Sequence, residues 1–77
     1  VIPKGPYTSY DDFAANASDA EIIAYTRAIG KISAAAGVNE DGYRLIANTR
    51  EHGRQDVPHL HVHILGGEKL PLMLPKE

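Results

Sequence analysis

His59-Leu60-His61-Val62-His63-Ile64-Leu65 is the stretch on which the architecture turns. On an extended strand, alternate side chains point the same way. His59, His61 and His63 then form a row of imidazoles on one face. Leu60, Val62 and Ile64 face the other way, into a core. The chain holds 4 histidines, and three of them fall in this run, which composition alone does not explain.

Outward from this strand, read as Val57 to Leu65, the pattern is one of short elements. Gly66-Gly67 ends the strand. Upstream, Thr49 to Asp56 is polar and glycine-bearing, a hairpin-type loop. Tyr43 to Asn48 reads as a second strand, and Asn39-Glu40-Asp41-Gly42 as the turn before it. The clearest helix precedes that turn. Ser18 with Glu21 three residues later matches a capping box. Ile22, Tyr25, Ile29, Ile32 and Ala36 then recur at spacings of three and four, an apolar stripe. Gly37 stands where a left-handed cap ends a helix. Gly30 in its interior costs about 1 kcal/mol against Ala, a cost that a close packing partner would explain. Asp11 to Ala15 forms one helical turn, with Tyr10 and Phe13 packing inward. Val1-Ile2 reads as a strand end stopped by Pro3, followed by a loop from Lys4 to Tyr10. The tail from Glu68 to Glu77 is apolar and bounded by Pro71 and Pro75, and is expected to lie extended over another surface.

These elements predict an α+β fold, an antiparallel sheet with one main helix packed on it. Two strands and a fragment are too few to stand alone. The missing strands are expected from an N-terminal piece not present here or from a second subunit. A chain of 77 residues makes one small domain, and such domains bury only ~60% of their unfolded surface. It has 0 cysteines, hence no disulfide and no thiolate metal site. That fits a reducing compartment, and a cytoplasmic location is the expectation. The net charge of −2, with both signs mixed along the chain, gives no basic run for a nucleic-acid partner. No apolar stretch approaches the ~20 residues of a membrane span.

Imidazoles bind metals, shuttle protons and act as nucleophiles. A His-x-His pair on a strand is good ligand geometry, with His52, Glu51 or Asp56 as a third ligand. A row of solvated or internally satisfied histidines is the plain structural alternative. Three like-facing histidines would, however, repel one another as cations. Spacing alone leaves all three readings open.

The wider block Gln55-Asp56-Val57-Pro58-His59-Leu60-His61-Val62-His63-Ile64-Leu65-Gly66-Gly67 resembles the signature of the histidine triad (HIT) superfamily, His-φ-His-φ-His-φ-φ with φ apolar. The Leu-Gly-Gly continuation is similar to the histidine triad nucleotide-binding branch. Val1-Ile2-Pro3-Lys4 resembles that family's central strand end, Asp41 to Asn48 its next strand, and Leu70 to Leu74 its C-terminal segment. The resemblance covers essentially residues 1–77, as the C-terminal two-thirds of a single, partial HIT-like domain. Family members carry roughly a further third upstream, including helix, strands and another histidine. The resemblance thus implies a truncated or proteolysed domain, its nucleotide pocket complete only with the lost piece or a partner.

The resemblance implies a nucleotide-binding hydrolase or transferase that cleaves nucleoside 5'-phosphoramidates of adenosine or guanosine. His61 would attack phosphorus and form a nucleotidyl-histidine, which water then hydrolyses. A backbone carbonyl would fix its tautomer. His63 would contact the phosphate and His59 would support the site. Asn48, Gln55, Asp56 and Val57 match positions around the nucleotide phosphate. No metal and no cofactor is implied. A homodimer is implied, as is a nucleoside monophosphate or phosphoramidate ligand. The alternatives are a dinucleoside polyphosphate hydrolase and a non-catalytic nucleotide-binding module. Three residues depart from the branch: Arg54 where a small glycine-type residue is usual, Asp56 where Ser or Thr is frequent, and Pro58, which removes a ladder donor.

Overall fold

The computed structural model describes residues 1–71. Leu72, Met73, Leu74 and Pro75, which carry most of the extended-tail expectation, lie outside the described residues. The element order is α1 (Tyr10–Asn16), α2 (Asp19–Ala35), β1 (Tyr43–Ile46) and β2 (His63–Gly66). The strands pair antiparallel with Tyr43 opposite Gly66 and Ile46 opposite His63. This is the expected α+β arrangement, with a shorter second strand than the histidine pattern predicts.

Helix α2 forms where the cap and the stripe place it. The Ser18 hydroxyl accepts from the Glu21 N–H at 3.1 Å, and the Glu21 carboxylate accepts from the Ser18 N–H at 3.2 Å. Two otherwise orphaned donors of the first turn are satisfied in this way. Gly37 follows the helix with φ of 76°, the left-handed conformation expected of it. Helix α1 is longer than one turn. Ser9 caps it, its hydroxyl accepting from the Asp12 N–H. The Ser9-to-Asp12 spacing is a second cap pattern legible in the sequence.

The core is small. Phe13, Tyr25, Leu60 and Val62 are buried, with Val1, Tyr7, Ala17, Ile22 and Ile29 packed around them. The Phe13 ring meets Tyr7 and Tyr25 edge-to-face, at centroid distances of 5.2 and 5.1 Å, a favoured aromatic geometry. Leu60 and Val62 thus face the core as the alternation requires. Tyr25 is a packing residue, and its hydroxyl donates to the Val1 carbonyl at 2.8 Å. Burial raises its pKa.

Three expectations about packing fail. Tyr10 is 59% exposed, whereas Phe13 alone turns inward. As the first residue of α1, Tyr10 sits three positions before Phe13, but only Phe13 is aimed between Tyr7 and Tyr25. The stripe of α2 is covered only at its N-terminal end. Ile32 is 44% exposed and Ala36 lies open, while Ser33 is buried. The Ser33 hydroxyl donates to the Ile29 carbonyl at 2.9 Å, so its burial leaves no unmet polar atom. Gly30 has no close neighbour: a Cβ there would meet nothing within 4 Å. It borders an open apolar cleft of about 500 Å³ lined by Phe13, Ile22, Ile29, Tyr43, Leu45 and Val62.

Val1 pairs with the histidine segment on the side away from β1. Its ammonium donates to the Val62 carbonyl and its carbonyl accepts from the Val62 N–H, both at 2.8 Å. That reciprocal exchange has the bonding of an antiparallel hydrogen-bonded pair, although Val1 and Ile2, expected to end a strand, belong to neither strand of the sheet. The Leu60 N–H reaches the Tyr7 carbonyl at 2.8 Å. The second edge of β1 pairs with no strand among the described residues. No helix of the described residues is long and apolar enough to cross a membrane.

Candidate functional site

The histidine row is half loop and half strand. Residues 57–59 form a tight turn in which the His59 N–H donates to the Val57 carbonyl at 2.7 Å. Pro58 sits at its centre, where a ring-fixed φ suits a three-residue turn. Regular pairing begins only at His63. The strand expected from Val57 therefore starts six residues later, because Pro58 bends the chain and the backbone of 60–62 is taken by Tyr7 and Val1.

The alternation of side chains nevertheless holds. His59 and His61 are half-buried and His63 is exposed, while Leu60 and Val62 are enclosed. The His61 and His63 rings meet edge-to-face, with centroids 4.8 Å apart and an interplanar angle of 87°. His59 does not join them in a ring pair among the described residues. Its Nδ1 instead lies 2.9 Å from the Leu60 carbonyl. The Nδ1 of His61 lies 2.9 Å from the His59 carbonyl.

These two contacts assign the tautomers. A carbonyl oxygen only accepts, so each Nδ1 must carry the hydrogen. In a neutral ring the Nε2 lone pair is then free. His61 is so fixed as an imidazole, its ring beside the second imidazole of His63.

The other expected residues divide. Asn48 is half-buried two residues past Ile46, the last residue of β1, whose cross-strand partner is His63. Gln55 and Asp56 line an open cleft of about 420 Å³ with Thr8, Ser9, Arg50 and Pro58. Asp56 and Val57 are exposed, Val57 at 55%. Gln55 bonds both to its own loop and to the segment before α1. Its Oε1 accepts from the Arg50 N–H at 2.8 Å, and its Nε2 lies 2.6 Å from the Thr8 carbonyl and 3.4 Å from the His59 carbonyl. Tyr43 is 42% exposed on the cleft side of β1 rather than at the histidines.

Arg50, Thr8 and Asp11 were not singled out by sequence reasoning. The Arg50 guanidinium forks onto the Asp11 carboxylate at 3.1 and 3.2 Å, joining the loop to α1 across 39 residues of sequence. Hydrogen bonding from Arg50, and then from Ser9, holds the Asp11 carboxyl down to about 2. Asp12 is also lowered, chiefly by the Thr8 backbone N–H. Arg50 and Arg54 both adopt left-handed backbone, with φ of 54° and 57°. That conformation favours glycine. Among the described residues, no three histidine, aspartate or glutamate side chains are grouped to hold a metal ion, so His52, Glu51 and Asp56 do not complete a ligand set with the row.

Residues 1–70 match the model of the HIT domain family, and the chain belongs to that family. It is 47% identical over 76 residues to an uncharacterized 13.2 kDa HIT-like protein of Azospirillum brasilense, covering 99% of this chain and 62% of that protein. It is 57% identical over 44 residues to the purine nucleoside phosphoramidase of Escherichia coli K12, covering 57% of this chain and 37% of that enzyme. The crystal structure of a HIT family hydrolase from Legionella pneumophila superposes with a TM-score of 0.75 at 36% identity, over 94% of this chain and 63% of that one. The fold is therefore the HIT fold. The chain spans about 62–63% of the length of two of these relatives.

Proposed function

We propose that this chain carries the reacting half of a nucleoside 5'-phosphoramidate hydrolase, as the C-terminal two-thirds of a single HIT domain acting in the cytoplasm as a homodimer. The observation that supports this most directly is the His61 ring, tethered through Nδ1–H to the His59 carbonyl at 2.9 Å. The tether leaves Nε2 free to form a bond to phosphorus. As that bond forms, the P–N bond to the leaving group breaks, and the departing amine takes a proton. Water then attacks the nucleotidyl-histidine, releasing the nucleoside monophosphate and restoring His61.

His63, 4.8 Å from His61 between ring centroids, is the group that donates to the phosphoryl oxygens when protonated. Charge developing on those oxygens is where a fixed donor lowers the barrier most. His59 supplies the carbonyl that orients His61. Asn48, Asp56 and Val57 border the space for the phosphate and leaving group. Partial identity to a purine nucleoside phosphoramidase favours phosphoramidates over dinucleoside polyphosphates. The half-exposed Tyr43, Leu45 and Ile32 and the open edge of β1 favour a second copy against this face.

Mixing the chain with adenosine phosphoramidate and quenching in base tests the reading. Intact-mass spectrometry should find a chain heavier by one adenylyl group, located on His61 by fragmentation and absent in His61→Ala. Turnover that persists in His61→Ala would overturn it. Retention of AMP with no adduct and no turnover would make the chain a nucleotide-binding module instead.

A further inference from the structure

We propose that Gln55 is a positioning residue that acts on His61 through the His59 carbonyl, and is not a ligand of the phosphate. This rests on His61 being the nucleophile. The Gln55 carboxamide has three partners. Its Oε1 accepts from the Arg50 N–H at 2.8 Å, and its Nε2 faces the Thr8 carbonyl at 2.6 Å and the His59 carbonyl at 3.4 Å. The orientation of the amide is forced. Turned over, its oxygen would face two carbonyls and its nitrogen would face an N–H, with no bond made.

The consequence runs through a single oxygen. The His59 carbonyl has two lone pairs; one meets the His61 Nδ1–H at 2.9 Å and the other faces Gln55. That carbonyl belongs to the turn centred on Pro58, outside any ladder, so neither a helix nor a strand sets its direction. Gln55 ties it to Thr8, which precedes the cap of α1. The loop itself is braced at its far end by the Arg50–Asp11 ion pair. A carbonyl held from two sides keeps the hydrogen of His61 on Nδ1, and so keeps Nε2 unprotonated. Without the brace, the imidazole is free to revert to the Nε2–H form, which is not a nucleophile at that nitrogen. A carboxamide with both ends occupied has little capacity left for a phosphoryl oxygen.

The test is a spectroscopic one on the 77-residue chain. Nitrogen-15 shifts of the His61 ring report which nitrogen carries the hydrogen, independently of any activity. In the unmodified chain the Nδ1–H form should dominate and the Gln55 side-chain amide hydrogens should exchange slowly. Gln55→Glu keeps an acceptor for Arg50 but has no donor for either carbonyl, and Gln55→Ala removes both functions. Each should move His61 toward the Nε2–H form and lower kcat, while AMP affinity changes by less than about tenfold. An unchanged tautomer in both variants overturns the proposal, and so does a more than tenfold loss of AMP affinity with the tautomer intact. If neither variant folds, the amide exchange of the unmodified chain decides: fast exchange overturns it. A chain without turnover leaves these ring shifts readable, so failure of the enzymatic reading is distinguishable from failure of this one.

Discussion

Replacing Gly66 by alanine should destabilise the chain by about 2 kcal/mol, within the ~1–3 kcal/mol typical of overpacking. The reason is local and steric. A Cβ at Gly66 would lie 2.9 Å from both Cβ and Cγ1 of Val38 and 3.3 Å from the Tyr43 Cβ, whereas carbon atoms at rest sit ~3.5–4.0 Å apart. Val38 cannot simply withdraw. Its N–H donates to the Ser33 carbonyl at 3.3 Å and its carbonyl accepts from the Gly42 N–H at 3.0 Å. A domain of 77 residues has a total stability of about 4–12 kcal/mol, so the loss is a large fraction of it. The melting temperature should fall by about 10 °C, at ~4–8 °C per kcal/mol for this size. Urea unfolding followed by circular dichroism measures it. The decisive comparison is a double-mutant cycle. Val38→Ala removes Cγ1 but keeps the offending Cβ, so it should rescue only in part. Val38→Gly removes both contacts and should show a coupling of at least 1 kcal/mol with Gly66→Ala, within the ~0.5–3 kcal/mol range of touching pairs. Additivity within about 0.5 kcal/mol would refute the reasoning, as would a neutral Gly66→Ala.

Gly30→Ala should stabilise the isolated chain by about 0.8–1 kcal/mol, since helix propensity rises and the added methyl meets nothing within 4 Å; a drop in the urea midpoint would show that this face is already covered. Leu60→Ala should cost about 2–5 kcal/mol, because Leu60 is 0% exposed, and loss of the near-ultraviolet aromatic signal at 25 °C is the expected readout. Acid should weaken the loop brace with a defined sign. The Asp11 carboxyl is lowered from 3.8 to about 2 in the folded chain by Arg50 and Ser9, so its contribution is present above the unfolded value and is lost as pH falls from about 4 to about 2. Arg50→Ala should flatten the urea midpoint over that interval, and an unchanged slope there would contradict the assignment. The Ser18 N–H and the Tyr7 hydroxyl lower Glu21 in the same sense, so a residual slope should survive in that variant and shrink in Glu21→Gln.

What could be read from the sequence was whatever depended on neighbours three or four residues away. The capping box of α2, the cap of Gly37 and the inward aim of Leu60 and Val62 are all local patterns, and all appear in the structure. The errors share another cause. Tyr10 and Ile32 are apolar at core-like spacings, yet whether such a residue is covered depends on what stands opposite, and the cleft beside Gly30 is open. The alternation sets the start of the strand too early because period-two alternation survives in an extended segment whether or not it has a ladder partner. The site divides the same way. The histidine face follows from the alternation of adjacent residues, whereas the His61 tautomer rests on the contact with the His59 carbonyl. The fork between Arg50 and Asp11, and the contact of Gln55 with Thr8, span 39 and 47 positions and leave no trace in local spacing.

The late start of β2 has a consequence for how the two facing imidazoles respond to damage. His61 is carried by the turn and by the chain's first seven residues, whereas His63 is carried by the hairpin. Sliding β1 past β2 by one position would turn the side chains of β1 over and change the residue opposite His63, while His61 kept its neighbours. Their edge-to-face approach is therefore a gauge of hairpin alignment. A lesion in the 39–42 turn, which leads directly into β1, would be felt at this pair as a misfit between two rings.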